Sequence, residues 1–247
     1  MKDLNYLEFC DKLLSDWREN KIVLQDNYGF DLDALPEPYL TFGSKSDEVC
    51  FLTNNPGSVM EFQKKNENFS PISESYNNLS KRLGQHYEDY LSGVAKTRIL
   101  NMYEISNTLF PTNNSFMQLE ISPFHSSSFP NKEKFSKNIL RRENDIHTEY
   151  INNLTAFLSQ KNCICIQSGF PDLKRLNKNW ISLIGNILSI KSDTWNLIEF
   201  KIKNERATTG AFYYKGEKFF KVILFNSASN SCPRINTMTE LFKILKS

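Results

Sequence analysis

Four apolar runs limit what this chain can become: Val49-Cys50-Phe51-Leu52-Thr53, Phe116 to Ile121, Cys163 to Gln167, and Lys218 to Phe225. Each has the length of a strand and little of the strict alternation that marks a sheet with one wet face. Strands of that kind are covered on both sides, which is the habit of parallel sheets. The intervening segments are long enough for the helical crossovers that parallel neighbours require. The chain is therefore predicted to be α/β, a three-layer sandwich with a central, mainly parallel four-stranded sheet flanked by helices. Leu197 to Lys203 alternates apolar and charged residues, as a half-exposed strand does. Ala211 to Tyr214, the turn Lys215-Gly216 and the fourth run read together as a hairpin.

Helical spacing places the covering layers. Leu4, Leu7, Cys10, Leu14 and Trp17 share one face between Leu4 and Asn20. Tyr76, Leu79, Leu83, Tyr87 and Tyr90 do so between Ser75 and Leu91. Asn131 to Gln160 is a long helix or a pair of helices with Phe135, Ile139, Ile146, Tyr150, Leu154 and Phe157 inward. Its basic residues Lys132, Lys134, Lys137, Arg141 and Arg142 form either a solvated face or a phosphate contact. A helical segment from Pro171 to Leu188 contains Trp180, and a closing helix spans Thr237 to Leu245. Tyr28 to Ser46, with Pro36, Pro38 and Gly43, reads as loop, with Tyr39 to Phe42 a short edge strand. No internal repeat or low-complexity linker divides the chain, so residues 1–247 are expected to form one domain with residues 1–40 as an N-terminal helical extension.

Bulk properties narrow the function classes little. The 30 basic and 28 acidic residues give a net charge of +2, which neither identifies nor excludes a nucleic-acid binder. Cysteines 10, 50, 163, 165 and 232 are odd in number and lack C-x-x-C spacing. They read as reduced thiols, and the spacing argues against a zinc or iron–sulfur centre. The start Met1-Lys2-Asp3-Leu4 has no apolar signal-peptide core and no run reaches bilayer length, so a cytoplasmic protein is expected.

In parallel sheets ligands bind beyond the carboxyl ends of the strands. That rule gathers the turn Asn54-Asn55-Pro56-Gly57-Ser58, the turn Pro123-Phe124-His125-Ser126, Gly169, and the loop Asn226 to Arg234. Asn offers an amide, Pro fixes the backbone, and Gly57 admits a ligand close to the main chain. Taken alone, an N-P-G cluster punctuates many loops.

With these turns in that order, the chain resembles the uracil-DNA glycosylase superfamily, in particular the branch of mismatch-specific thymine and uracil glycosylases. That branch ends its first strand in G-x-N-P-G. Here Thr53-Asn54-Asn55-Pro56-Gly57 differs by Thr in place of the leading Gly. The resemblance implies that Asn55 is the catalytic, water-positioning Asn, that Phe69 stacks on the extruded base, and that Tyr76 starts the helix after Pro71. The family's second motif, around H-P-S or N-P-S, follows the fourth strand and belongs to a loop that enters the minor groove. Asn226-Ser227-Ala228-Ser229-Asn230 stands there, without a His and with the Pro displaced to 233. The family also reads the base near the end of its second strand, where this chain has Glu120 and then His125. The resemblance runs from Glu48 to about Arg234 and implies a DNA partner, a monomer and no cofactor.

The chemistry of base excision makes sense of these residue types. The target nucleotide must leave the stack, so the crevice needs an aromatic floor, supplied by Phe69 with Phe124 as a second candidate. Negative charge gathers on the departing base, and donors there accelerate its loss. His125, Asn226 and the backbone N–H groups of Ser227 to Ser229 are the candidates. An amide cannot take a proton at neutral pH, so Asn55 orients water rather than activating it. Glu120 either serves as a base or reader of an exocyclic amine, or points outward from its strand. His125 is a donor or a satisfied structural histidine. Arg234 grips phosphate or is an ordinary surface residue, and Asn230 lies with it on the DNA-facing loop. The uracil specialists carry a Tyr after the catalytic turn that blocks base carbon 5. Gly57-Ser58 stands here instead, so 5-substituted pyrimidines, including the bulky cytosines of phage DNA, are expected to fit, and defence against such phages is one role the family suggests. Two other classes compete: a catalytically inert DNA- or nucleotide-binding module with the same fold, and a hydrolase using a Ser with His125. The absence of a G-x-S-x-G elbow counts against the hydrolase.

Overall fold

A computed structural model describes residues 6–19, 28–30, 36, 48–54, 94–109, 116–126, 129–143, 145–159, 164–170, 178–190, 194–200, 209–215, 220–225 and 235–246. In chain order the elements are α1 (Tyr6–Arg18), β1 (Val49–Thr53), α2 (Val94–Leu109), β2 (Met117–Glu120), α3 (Lys132–Leu140), α4 (Ile146–Ser159), β3 (Ile164–Phe170), α5 (Lys178–Ile187), β4 (Asn196–Phe200), β5 (Thr209–Lys215), β6 (Phe220–Phe225) and α6 (Ile235–Lys246). The expected edge strand at Tyr39–Phe42 and the expected helix between Ser75 and Leu91 lie outside the described residues.

The strands form one mixed sheet of six, in the order β2-β1-β3-β6-β5-β4. β2, β1, β3 and β6 run parallel, whereas β5 pairs antiparallel with β6 and β4 antiparallel with β5. The expectation of a four-stranded sheet is thus corrected to six strands, four of them parallel. The cause is the open edge of β6. A strand carrying unpaired N–H and C=O groups accepts the neighbouring hairpin arm, and that arm in turn accepts β4. Leu197, 53% exposed, shows that the outer strand is only half covered.

Side-chain alternation divides the core between the two faces. Cys50, Leu52, Met117, Leu119, Cys165 and Ile223 point into a layer built by α1, α3, α4 and α5. Val49, Phe51, Phe116, Ile166 and Val222 point the other way, onto Met102 and Ile105 of α2 and Met238, Leu241 and Phe242 of α6. The flanking layers make the described residues a three-layer α/β sandwich. α1 joins the larger layer through Tyr6, Phe9, Cys10, Leu13 and Leu14, all buried. Burial pushes the Cys10 thiol up, so it stays protonated and packs as a small apolar group. None of the helices among the described residues is long and apolar enough to cross a membrane.

The charged stretch after β2 resolves into a pair of helices, and local chemistry explains the break. Asn131 caps α3 with its side-chain oxygen on Lys134 N at 3.2 Å. At the other end Glu143 N bonds Asn138 O and Arg142 N bonds Ile139 O, with Arg142 at φ 56°. That pair of bonds is a Schellman stop. Asp145 then caps α4, its Oδ1 accepting from Thr148 N at 2.8 Å. α5 stops in the same way, with Ser189 at φ 57° and the ammonium of Lys221 on Leu188 O.

The packing of α3 against α4 and α5 is aromatic. Trp180 lies 4.8 Å from Phe129 and 6.4 Å from Phe135, while Phe135, Phe124, Phe30 and Tyr28 surround His147 at 5.0 to 5.4 Å. Tyr28 accepts from Asn138 and donates to Asp145. Its hydroxyl is pushed up to about 12, mainly by burial, and it remains a neutral donor. Lys132 sits 5.0 Å over Trp180, and burial lowers its hold on the proton.

The connections fix where a ligand crevice would open. β1 reaches β2 through α2 on one face of the sheet, moving outward. β2 returns across β1 to β3 through α3 and α4 on the opposite face. Opposite directions on opposite faces are what a single crossover hand demands. The strand order therefore reverses between β1 and β3, a topological switch point.

Candidate functional site

Beyond the switch point the first residues are Thr53 and Asn54, the end of β1, with β2 ending beside them at Glu120. Register pairs Thr53 with Glu120 and Phe51 with Gln118. The parallel ladder continues past the strands, with Ile121 N on Thr53 O at 2.9 Å and Ser122 N on Asn54 O at 3.0 Å. The ends of the two strands are thus held together by main-chain bonds.

Alternation puts Gln118 and Glu120 on the same face of β2, and both are buried, Glu120 at 3% exposure. A carboxyl group at that depth needs partners. Thr53 Oγ1 donates to Glu120 Oε2 at 2.5 Å, and Gln118 Nε2 donates to Glu120 Oε1 at 3.0 Å. Gln118 Nε2 also lies 3.3 Å from Thr53 Oγ1, which in turn lies 3.1 Å from Leu119 O. The hydroxyl thereby ties the end of β1 to both the side chain and the main chain of β2. A second line of hydroxyls reaches the same strand end from the far face. Tyr150 of α4 donates to Glu120 O at 2.9 Å, and Tyr6 of α1 is 3.1 Å from Tyr150 Oη. So α1, read from the sequence as an extension, is linked to the site strand through Tyr150.

The turn after β2 packs inward. Phe124 N bonds Ser122 Oγ at 3.3 Å. Phe124 is fully buried, its ring 6.2 Å from Phe30 and 5.0 Å from His147, which makes it part of the aromatic core. His125 is buried at 1% exposure. Of the residues expected at the site, the structure brings together Glu120, Phe124 and His125 at the carboxyl end of β2. Asn55, Gly57, Phe69, Tyr76, Asn226, Ser227, Ser229, Asn230 and Arg234 lie outside the described residues. Glu120 is not on an outward, solvated face. Its partners Thr53 and Gln118, and Tyr150 behind it, were not singled out from the sequence as site residues. The i, i+2 pair Gln118 and Glu120 was the available signal, but only the β1–β2 register reveals that Thr53 faces them.

What the arrangement offers chemically is a fixed carboxyl group, oriented by an amide and a hydroxyl, beside the end of β1. Each carboxyl oxygen has two acceptor positions, and the Thr53 and Gln118 bonds use one on each. Thr53→Val keeps the shape and removes the hydroxyl. It is expected to lower the unfolding free energy by about 1–3 kcal/mol, because the buried Glu120 Oε2 loses the Thr53 donor. Urea denaturation measures this, and an unchanged midpoint would show that the hydroxyl bond contributes nothing.

Compared with protein-family models, curated proteins and solved structures, the chain matches none.

Proposed function

We propose that this protein is a DNA glycosylase that flips out a uracil-like or modified pyrimidine and hydrolyses its N-glycosidic bond. The observation that carries this reading is the place of β1. It borders the switch point of the sheet, and the residues that follow it in sequence are Asn54-Asn55-Pro56-Gly57. In this reading Asn55 orients the attacking water and Gly57 leaves room for the sugar and base. The base loses its bond to an oxocarbenium-like sugar, so the water needs placement more than activation. Phe69 stacks on the flipped base, with Tyr76 beside it. Asn226, Ser227 and Ser229 donate to the base as it departs, and Asn230 and Arg234 hold the DNA backbone.

Glu120 takes the part of base reader. A carboxylate accepts and cannot donate, so it selects a base edge carrying an amine, such as the exocyclic amine of a cytosine derivative. His125 stands one turn further on as a donor. Gly57-Ser58, without the Tyr of the uracil specialists, leaves carbon 5 open. Such a pocket suits a protein that acts on phage DNA with modified cytosines.

Base release distinguishes the substrates. Duplexes carrying uracil, mismatched thymine, cytosine or a 5-substituted cytosine are incubated with the protein, and free base is measured by mass spectrometry. Release of the 5-substituted base at least as fast as uracil is expected. Activity confined to uracil would overturn the open carbon-5 pocket, and no release from any duplex would favour the inert binding module.

A further inference from the structure

The mechanism above leaves the exposed side of α3 unused. Lys134, Lys137 and Arg141 are all exposed there. At 100° per residue they fall within an arc of roughly 60°, diametrically away from Phe135 and Ile139, which face the core. Arg142 follows, also exposed. Among the described residues Lys137, Arg141 and Arg142 form no ion pair. Glu133 and Glu143 are the acidic neighbours on this helix and its stop, so the face remains net positive.

Arg142 adds an independent observation. It occupies the left-handed position of the Schellman stop at φ 56°, where Gly or Asn is favoured because a Cβ is strained there. A long cation held in a conformation that disfavours it is better explained by its charge than by its backbone. The stripe is also rigidly mounted. α3 is capped by Asn131, clamped by Phe135 in the aromatic layer, and is the next helix after β2.

We propose that Lys134, Lys137, Arg141 and Arg142 form a track for the phosphate backbone of DNA along α3, the helix that follows β2 in the chain. This rests on the glycosylase reading and extends it. The track positions the duplex without reading sequence, as phosphate contacts do. From Lys134 to Arg141 it is about 10 Å long at 1.5 Å per residue.

The test is the salt dependence of binding to a fluorescent duplex, followed by anisotropy between 50 and 200 mM salt. Each phosphate contact contributes about −0.9 to the slope of log K against log salt. The triple variant Lys137→Ala/Arg141→Ala/Arg142→Gly is expected to shed about two to three units of that slope and at least tenfold in affinity at the low-salt end. Arg142→Gly alone is expected to keep or raise the melting temperature while still flattening the slope, which separates binding from folding. Lys243→Ala, on the exposed side of α6, should leave the slope as it is. If the wild type binds with a steep slope that the triple variant retains, the track is overturned and the glycosylase reading stands. If the wild type shows no salt-dependent binding to DNA, both fall.

Discussion

Trp180→Ala is expected to lower the unfolding free energy by about 3–5 kcal/mol, the range for emptying a large aromatic site in a core. Trp180 is fully buried where α5 meets α3, 4.8 Å from Phe129 and beneath the ammonium of Lys132 at 5.0 Å. Removing the indole opens a void between rings that are held by their own neighbours and cannot all move inward. Lys132 meanwhile loses a ring face that offsets part of the cost of its burial. Domains of this kind are stable by only about 5–15 kcal/mol, so the loss is a large share of the total. Equilibrium urea unfolding reads it as a shift of the midpoint at constant slope. A loss below about 1 kcal/mol would mean that the aromatic layer is not the keystone of the α3–α5 packing.

Asn55→Ala has the largest expected effect on activity. In the proposed mechanism, removal of the amide leaves the water without the group that aims it, and misplacement of a reactant by about 1 Å costs on the order of 100-fold. A fall in base release of about 100-fold or more is expected, read in kcat with little change in KM. Duplex affinity should persist, since the proposed phosphate contacts are made by other residues. A variant that lost binding and turnover together would point instead to a structural turn.

Much of the architecture was legible because it rests on periodicity. The runs at Val49, Phe116, Cys163 and Lys218 became the four parallel strands, and the helical spacing around Leu7, Phe135, Trp180 and Leu241 became α1, α3, α5 and α6. The extent of the sheet was less legible. β5 is legible as the hairpin partner of β6 and β4 as a half-exposed strand, but the place of β4 on the outer side of β5 depends on which edge is open, and that is a tertiary fact. α2 is not legible in the sequence, since the apolar residues of Val94–Leu109 announce no single face.

The candidate site was legible as positions and not as contacts. Glu120 could be placed at the end of a strand, but its burial and its bonds to Thr53 and Gln118 follow from the β1–β2 register. Thr53, noted in the sequence only as a departure from Gly in the turn motif, turns out to join the two strand ends. Phe124 shows the opposite case. Its place just past a strand suggested a floor for a base, and its ring instead fills the aromatic core beside His147.

The most direct measurement uses an end-labelled duplex bearing a single 5-substituted cytosine or uracil, treated with the protein and then with hot alkali. Wild-type protein is expected to leave one alkali-labile break at the modified position, and Asn55→Ala is expected to leave the strand intact. Equal breakage by both proteins, or intact strands with both, would contradict a glycosylase that works through Asn55.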